Sequence, residues 1–318
     1  MDDRNSNISD RNLLDMKMML EKKQKEIRRL KKDLVLQESE IDAQKEIIEN
    51  QRDVALRQRD EVAFQQKEIR ASFTYASRIQ SALLTSDEQF SKNFREYFIL
   101  YKPKDIVSGD FYWMTSDEKK IVLTAADATG HGVPGAFMSL MGMVFLNEIV
   151  DSMGVDEPAE VLEMMRKRIT SAFYKEEGVE QINAGMDMSM VNIDKKTLEM
   201  RCAGAFNSVI VISKGKLHEI PANKMPIGYH PYLMEKQFTT RTHQLEEGDR
   251  IYLFSDGFID QFGWRNNKKF MKRNFKELLL EIQNVPVQAQ KVLLENSLNN
   301  WKGDLEQLDD IIVIGIEV

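Results

Sequence analysis

The sequence predicts an α+β domain, antiparallel sheets flanked by two helix pairs, set behind a long N-terminal coiled-coil helix. Three observations carry this. No Gly or Pro occurs in residues 12–84, and apolar residues there recur every seven positions. Beyond Leu84, β-rich runs and helical runs come in separate batches rather than in strict alternation.

The helix comes first. Glu, Lys, Gln, Arg and Leu dominate it, all residues that lose little side-chain freedom on becoming helical. Leu13, Leu20, Ile27, Leu34, Ile41 and Ile48 share one register, which continues through Ala55, Val62, Ile69, Ala76 and Leu83. Three residues further along each repeat stand Met16, Lys23, Leu30, Gln37, Gln44, Gln51, Gln58 and Gln65, so the second half of the seam is largely polar. Such a seam makes a weak or switchable coil. A parallel homodimer is the expected assembly, with antiparallel pairing or packing on another protein as alternatives.

The compact domain follows, and residues 1–75 and 76–318 are read as coil and domain. Strands are expected at 97–101, 111–113, 120–126, 186–193, 198–203, 208–213, 216–220, 250–254 and 311–316. Two helix pairs interrupt them, at 134–152 with 158–175 and at roughly 273–283 with 286–299. Pro134 is well placed at the first helical position.

Composition narrows the function. Of 318 residues 42% are apolar, enough for a full core, and 44 basic against 51 acidic residues give a formal charge of −7, which disfavours nucleic acid as the main partner. The first residues show neither a basic segment nor an apolar one, so no secretory signal is expected. The longest nearly apolar stretch, 136–146, is interrupted by Ser139 and Gly142 and falls short of the ~18 residues of a membrane span, so no membrane insertion is expected. Cys202 is the single cysteine, which excludes an internal disulfide or a multi-cysteine zinc site and fits a reducing cytoplasm. It sits in an apolar strand and reads as a core residue, as do Met138, Met141 and Met143 on their helix. The four histidines lack the spacing of a helical zinc site, so any metal chemistry falls to carboxylates.

Those carboxylates recur in one local form. Asp110, Asp127 and Asp256 each stand at the end of an apolar strand or the edge of a turn, and the pair Asp309-Asp310 precedes the last strand. Any one alone is an ordinary turn residue. Gathered at one sheet edge they would repel one another unless hard cations such as Mg²⁺ or Mn²⁺ neutralised them. Two such ions about 4 Å apart lower the pKa of a shared water and hold it in line with phosphorus, chemistry that needs no protein nucleophile. The glycine-rich run 127–136 joins a buried strand to a helix and lacks the Lys-Ser/Thr ending of a P-loop. It is either a tight turn or a turn shaped so that backbone carbonyls approach an ion, and His131 within it is a proton donor or a turn residue.

Four motifs in order, Ser-Gly-Asp-Phe-Tyr at 108–112, Asp-Ala-Thr-Gly-His-Gly at 127–132, Ser-Asp-Gly-Phe at 255–258 and Asp-Asp-Ile-Ile at 309–312, resemble the SpoIIE/RsbU-type phosphatases of the bacterial PPM family. The resemblance covers about residues 79–318. It implies an α-β-β-α sandwich with a two-manganese or two-magnesium centre, and hydrolysis of phosphoserine or phosphothreonine on a regulatory protein, typically an STAS-type anti-sigma-factor antagonist. Carried over position by position, Asp110, Asp127, Asp256 and Asp309 match the metal-binding carboxylates, and the Ala128 carbonyl matches the ligand after the Asp. Trp113 and Ile312 depart from the family's Asp and Thr, and Thr85 from the Pro after the helix 76–84 that enters these domains. That helix implies an upstream sensor protein acting through the coil. A catalytically inactive partner-binding domain and a coiled-coil scaffold are the alternatives.

Overall fold

The computed structural model describes residues 3–130, 132–173, 184–265 and 267–318, with side chains from residue 14 onward. His131 and the end of the expected helix 158–175 lie outside the described residues. The chain divides into two compact units, Met1–Arg70 and Ala71–Val318. The described residues of the first all lie in helix α1 (Asp3–Leu83), continuous over 81 residues. Its seam is open to solvent in the single chain: Leu20, Ile27, Leu34, Ile41 and Ile48 are all at least half exposed.

The second unit is a two-sheet sandwich. One sheet orders β1 (Glu96–Lys102), β11 (Ile311–Glu317), β10 (Arg250–Phe254), β6 (Val209–Ser213) and β7 (Lys216–Ile220). The other orders β2 (Phe111–Ser116), β3 (Lys120–Ala128), β4 (Gly185–Asp194), β5 (Glu199–Ala205) and β9 (Arg241–Gln244), with β8 (Ile227–Gly228) paired to β4. Every pairing within the sheets is antiparallel.

Alternation along the strands builds the layers, because successive side chains leave a strand on opposite faces. Ile312, Ile314 and Ile316 of β11 and Leu123 and Ala125 of β3 meet in the core between the sheets. Ile311 and Val313 turn outward to a second core, beneath α6 (Lys272–Glu281) and α7 (Val287–Lys302), with Phe275, Leu279 and Leu294. Val122 and Ala126 face a third core, beneath α3 (Gly132–Leu146) and α4 (Pro158–Phe173), with Met143, Leu162 and Met165. This is the α-β-β-α sandwich the motifs imply. A fully buried aliphatic side chain contributes about 1.5–3 kcal/mol, so three such cores are ample to order the domain.

Several elements differ from the sequence reading. Two further helices occur, α2 (Asp87–Asn93), capped by the Ser86 hydroxyl, and the single turn α5 (Gly257–Asp260). Strands β8 and β9 were also not expected; both are short, and β9 is mostly exposed, so neither has an apolar alternation to read. α3 runs on through a π-helical turn, Asn147–Ser152, so Gly132–Ser152 is long and apolar enough by length and composition to cross a membrane, contrary to expectation. Half of that stretch is buried, and its Met138, Met143, Leu146 and Ile149 belong to the core.

The departures from the family motifs have structural work. Trp113 is buried and donates its indole N–H to Asn147 Oδ1 at 2.7 Å, which ties β2 to the π-helical turn. Ile312 lies in the inter-sheet core. The Thr85 hydroxyl accepts from the Met114 backbone N–H at 2.7 Å, fastening the chain just after α1 to β2. Cys202 is buried, and burial pushes its thiol up to about 12, as befits a small core residue.

Candidate metal centre

Asp110 immediately precedes β2 and is 1% exposed, with its Oδ2 left without a hydrogen-bond partner. Burial holds its carboxyl well above the usual range; the Ser255 hydroxyl offsets part of this, while the charges of Asp310, Asp309 and Asp256 add to it. Asp127 lies on β3, one residue before the strand ends at Ala128. It too is raised, by burial first and then by Asp110, Asp256, Asp309 and Asp187. Asp256 precedes α5; burial, Asp260 and Asp309 raise it, against a hydrogen bond with Asp127 and the charge of Lys269. The sequence motifs thus come from four separate stretches of chain and meet in one electrostatic cluster.

The adjacent pair Asp309-Asp310 splits into two roles. Asp310 is 2% exposed and both its oxygens are engaged, Oδ1 accepting from the Lys104 backbone N–H and Oδ2 from that of Gly109, each at 2.7 Å. It joins the start of β11 to the loop that carries Asp110. Asp309 is exposed, and its Oδ1 accepts only the N–H of its neighbour Asp310, at 2.9 Å, which leaves most of its carboxylate available.

Two glycines allow the segments to approach. A Cβ on Gly109 would lie 2.6 Å from the Gly130 carbonyl oxygen and 2.8 Å from that of Ala128. A Cβ on Gly257 would lie 1.9 Å from the Asp310 carbonyl oxygen, closer than any side chain can sit. The Asp-Gly sequence at 256–257 therefore reflects the closeness of β11 as much as turn chemistry.

Sequence reasoning missed Asp187. It sits on β4 directly opposite Asp127 and is pushed up to about 7, by burial and by Asp256. The available signal was a carboxylate inside the apolar run 184–191, taken there as part of a strand. Ala128 pairs with Met186 in the same ladder and is buried, and its carbonyl oxygen lies close against Gly109.

Among the described residues no group of three or more His, Cys, Asp or Glu side chains is already placed to hold a metal ion. The donor set still fits hard cations: all-oxygen, largely desolvated, mutually repelling, and holding a buried Asp110 oxygen that nothing else satisfies. Lys269, the cation that acts on Asp256, is itself paired with Asp260 at 2.6 Å.

Residues 117–318 match the family model described as Stage II sporulation protein E (SpoIIE). Phosphoserine phosphatase RsbU of Bacillus subtilis (strain 168) is 24% identical over 221 residues, 68% of this chain and 61% of RsbU, so the chain spans about three fifths of that relative's length. Among solved structures, the SiaA-PP2C domain of Pseudomonas aeruginosa superposes with a TM-score of 0.71 at 29% identity, over 80% of this chain and 98% of that domain. The PP2C phosphatase domain of SpoIIE from Bacillus subtilis, solved with a fragment of its regulatory domain, shares the fold with a TM-score of 0.56 at 18% identity, over 70% of this chain and 63% of that one. With the family model covering more than half of its length and the sandwich matching PP2C domains, this chain belongs to the SpoIIE family.

Proposed function

We propose that this chain is a metal-dependent protein serine/threonine phosphatase that hydrolyses phosphoserine or phosphothreonine on a regulatory protein of the STAS type in the cytoplasm. The observation that carries the reading is the buried, unpartnered Asp110 oxygen amid the charges of Asp256, Asp309 and Asp310. The name of RsbU, a phosphoserine phosphatase, supports the reaction class.

Asp110, Asp127, Asp256, Asp309 and the Ala128 carbonyl would hold two Mn²⁺ or Mg²⁺ ions. When bound, such ions supply an activated water and neutralise charge on the phosphoryl oxygens. The chain's own part is positional. Asp310 fixes the Asp110 loop through two backbone N–H groups, and the β3–β4 ladder sets Asp127 against Asp187. Asp187 stands opposite Asp127 in that ladder, and in the absence of metal, burial pushes its carboxyl up to about 7. His131 is the candidate proton donor.

Residues 1–75 would form a parallel homodimeric coil that receives a signal from an upstream sensor protein, and 76–318 the phosphatase domain. The exposed, heptad-spaced seam supports a second copy as its partner, since apolar side chains at a seven-residue repeat fit a helix of the same repeat.

The test is Mn²⁺-dependent phosphate release from phosphorylated STAS proteins of the same cell, with Asp127→Asn and Asp256→Asn alongside wild type. Release that needs the metal and is lost in both variants is expected. No release and no Mn²⁺ binding by calorimetry would replace this reading with that of a coiled-coil scaffold; binding without turnover on any candidate would favour an inactive, partner-binding domain.

A further inference from the structure

The side chains of α1 are exposed from Leu14 through Ser72, and among its described side chains the first buried one is Gln80, in its last turns. That residue is polar. A primary amide taken out of water is costly unless its hydrogen bonds are replaced. Here they are. Gln80 Nε2 donates to the Ser108 carbonyl and to the Ser139 hydroxyl oxygen, both at 2.6 Å, and its Oε1 accepts the Ser108 backbone N–H at 3.1 Å.

One side chain therefore satisfies both backbone groups of Ser108, as a neighbouring strand would. The next residue, Gly109, is held by Asp310 through its N–H and accepts the Ala128 N–H at 3.4 Å, and the residue after that is Asp110. Ser139, the other partner, belongs to α3, the helix that follows the Asp127 turn. Gln80 thus touches the segment bearing Asp110 and the helix that follows the Asp127 turn. Thr85, which fastens the chain after α1 to β2 at Met114, makes no such contact with Ser108.

We infer that Gln80 is a positioning residue: its amide sets the Ser108-Gly109-Asp110 loop, and with it the place of Asp110 among the carboxylates and the affinity for metal. The inference rests on the metal-centre reading above. It separates that role from the simple anchoring of the chain that Thr85 provides.

The test uses the full chain and Mn²⁺ alone as the probe. Gln80→Leu keeps the volume and removes all three hydrogen bonds; Gln80→Glu keeps the acceptor for the Ser108 N–H and covers the case in which the leucine variant fails to fold. Thr85→Val removes the second anchor and leaves Ser108 untouched. Calorimetry gives the Mn²⁺ Kd, urea unfolding in EDTA gives stability, and phosphate release at saturating Mn²⁺ gives the maximal rate. Gln80→Leu is expected to raise the Kd at least tenfold with the maximal rate within threefold of wild type, Gln80→Glu to lie between the two, and Thr85→Val to lose stability with its Kd within twofold. A Kd within twofold of wild type in both Gln80 variants, or an equal rise in Thr85→Val, would overturn the inference. Absence of Mn²⁺ binding by wild type would instead overturn the metal-centre reading and this inference with it.

Discussion

Replacing Asp310 by Asn removes a carboxylate whose two oxygens accept the Lys104 and Gly109 N–H groups at 2.7 Å in a site 2% exposed. Asn has one oxygen, so one of those N–H groups then faces an NH₂ donor, and the other loses a charged acceptor. A hydrogen bond to a charged group contributes about 1.5–3 kcal/mol, and a buried donor left unpaired costs about 1–3 kcal/mol. Together these place the loss on the order of 3–4 kcal/mol, a large share of the stability of an ordinary domain. Asp309→Asn is the matched control. Its Oδ1 keeps the Asp310 N–H and the residue is exposed, so stability should change by less than about 0.5 kcal/mol. Urea unfolding in EDTA reads both variants without metal, and calorimetry with Mn²⁺ then reads affinity. Asp309→Asn is expected to keep its unfolding midpoint and lose at least tenfold in affinity. Equal stability losses, or Asp309→Asn binding Mn²⁺ like wild type, would refute the division of the pair into a clamp and a ligand.

Without metal, stability should fall as pH rises from about 4 to about 7. Asp187 is raised from 3.8 to about 7 in the folded state, so the native protein holds the extra proton, the opposite of the usual paired carboxylate; the contribution is on the order of 3 kcal/mol, is lost as pH climbs through that range, and is followed by urea midpoints in EDTA. A flat or rising profile there would contradict the burial of these carboxylates. Gly257→Ala should destabilise by about 3 kcal/mol or more, seen as a lowered thermal midpoint, because its Cβ would meet the Asp310 carbonyl oxygen at 1.9 Å; an unchanged midpoint would show that β11 can yield. Ile27→Asp with Leu34→Asp should turn a dimer into a monomer by sedimentation velocity while leaving the circular dichroism of the 71–318 portion in place; a dimer that persists would place its interface outside the seam.

Much of this protein is legible in its sequence because the relevant signals are local. The long helix follows from the absence of Gly and Pro and from the heptad of Leu20, Ile27 and Leu34, and nine strands follow from two-residue alternation such as Ile312, Ile314 and Ile316 against Ile311 and Val313. The Asp-Gly and Gly-rich turns mark where carboxylates meet backbone at close quarters, so Asp110, Asp127, Asp256 and the pair Asp309-Asp310 stand out before any fold is known. What the chain could not disclose locally depends on partners distant in sequence. Asp187 becomes notable only when the β3–β4 register sets it opposite Asp127, and Asp310 separates from Asp309 only when the loop bearing Lys104 and Gly109 folds over one of the two. Gln80 reads as one more polar residue of a helix until Ser108, 28 positions on, closes around its amide. Helix and strand periods are set by each residue's own backbone and neighbours; ionisation, burial and hydrogen-bond partnership are set by what the fold brings within a few ångströms.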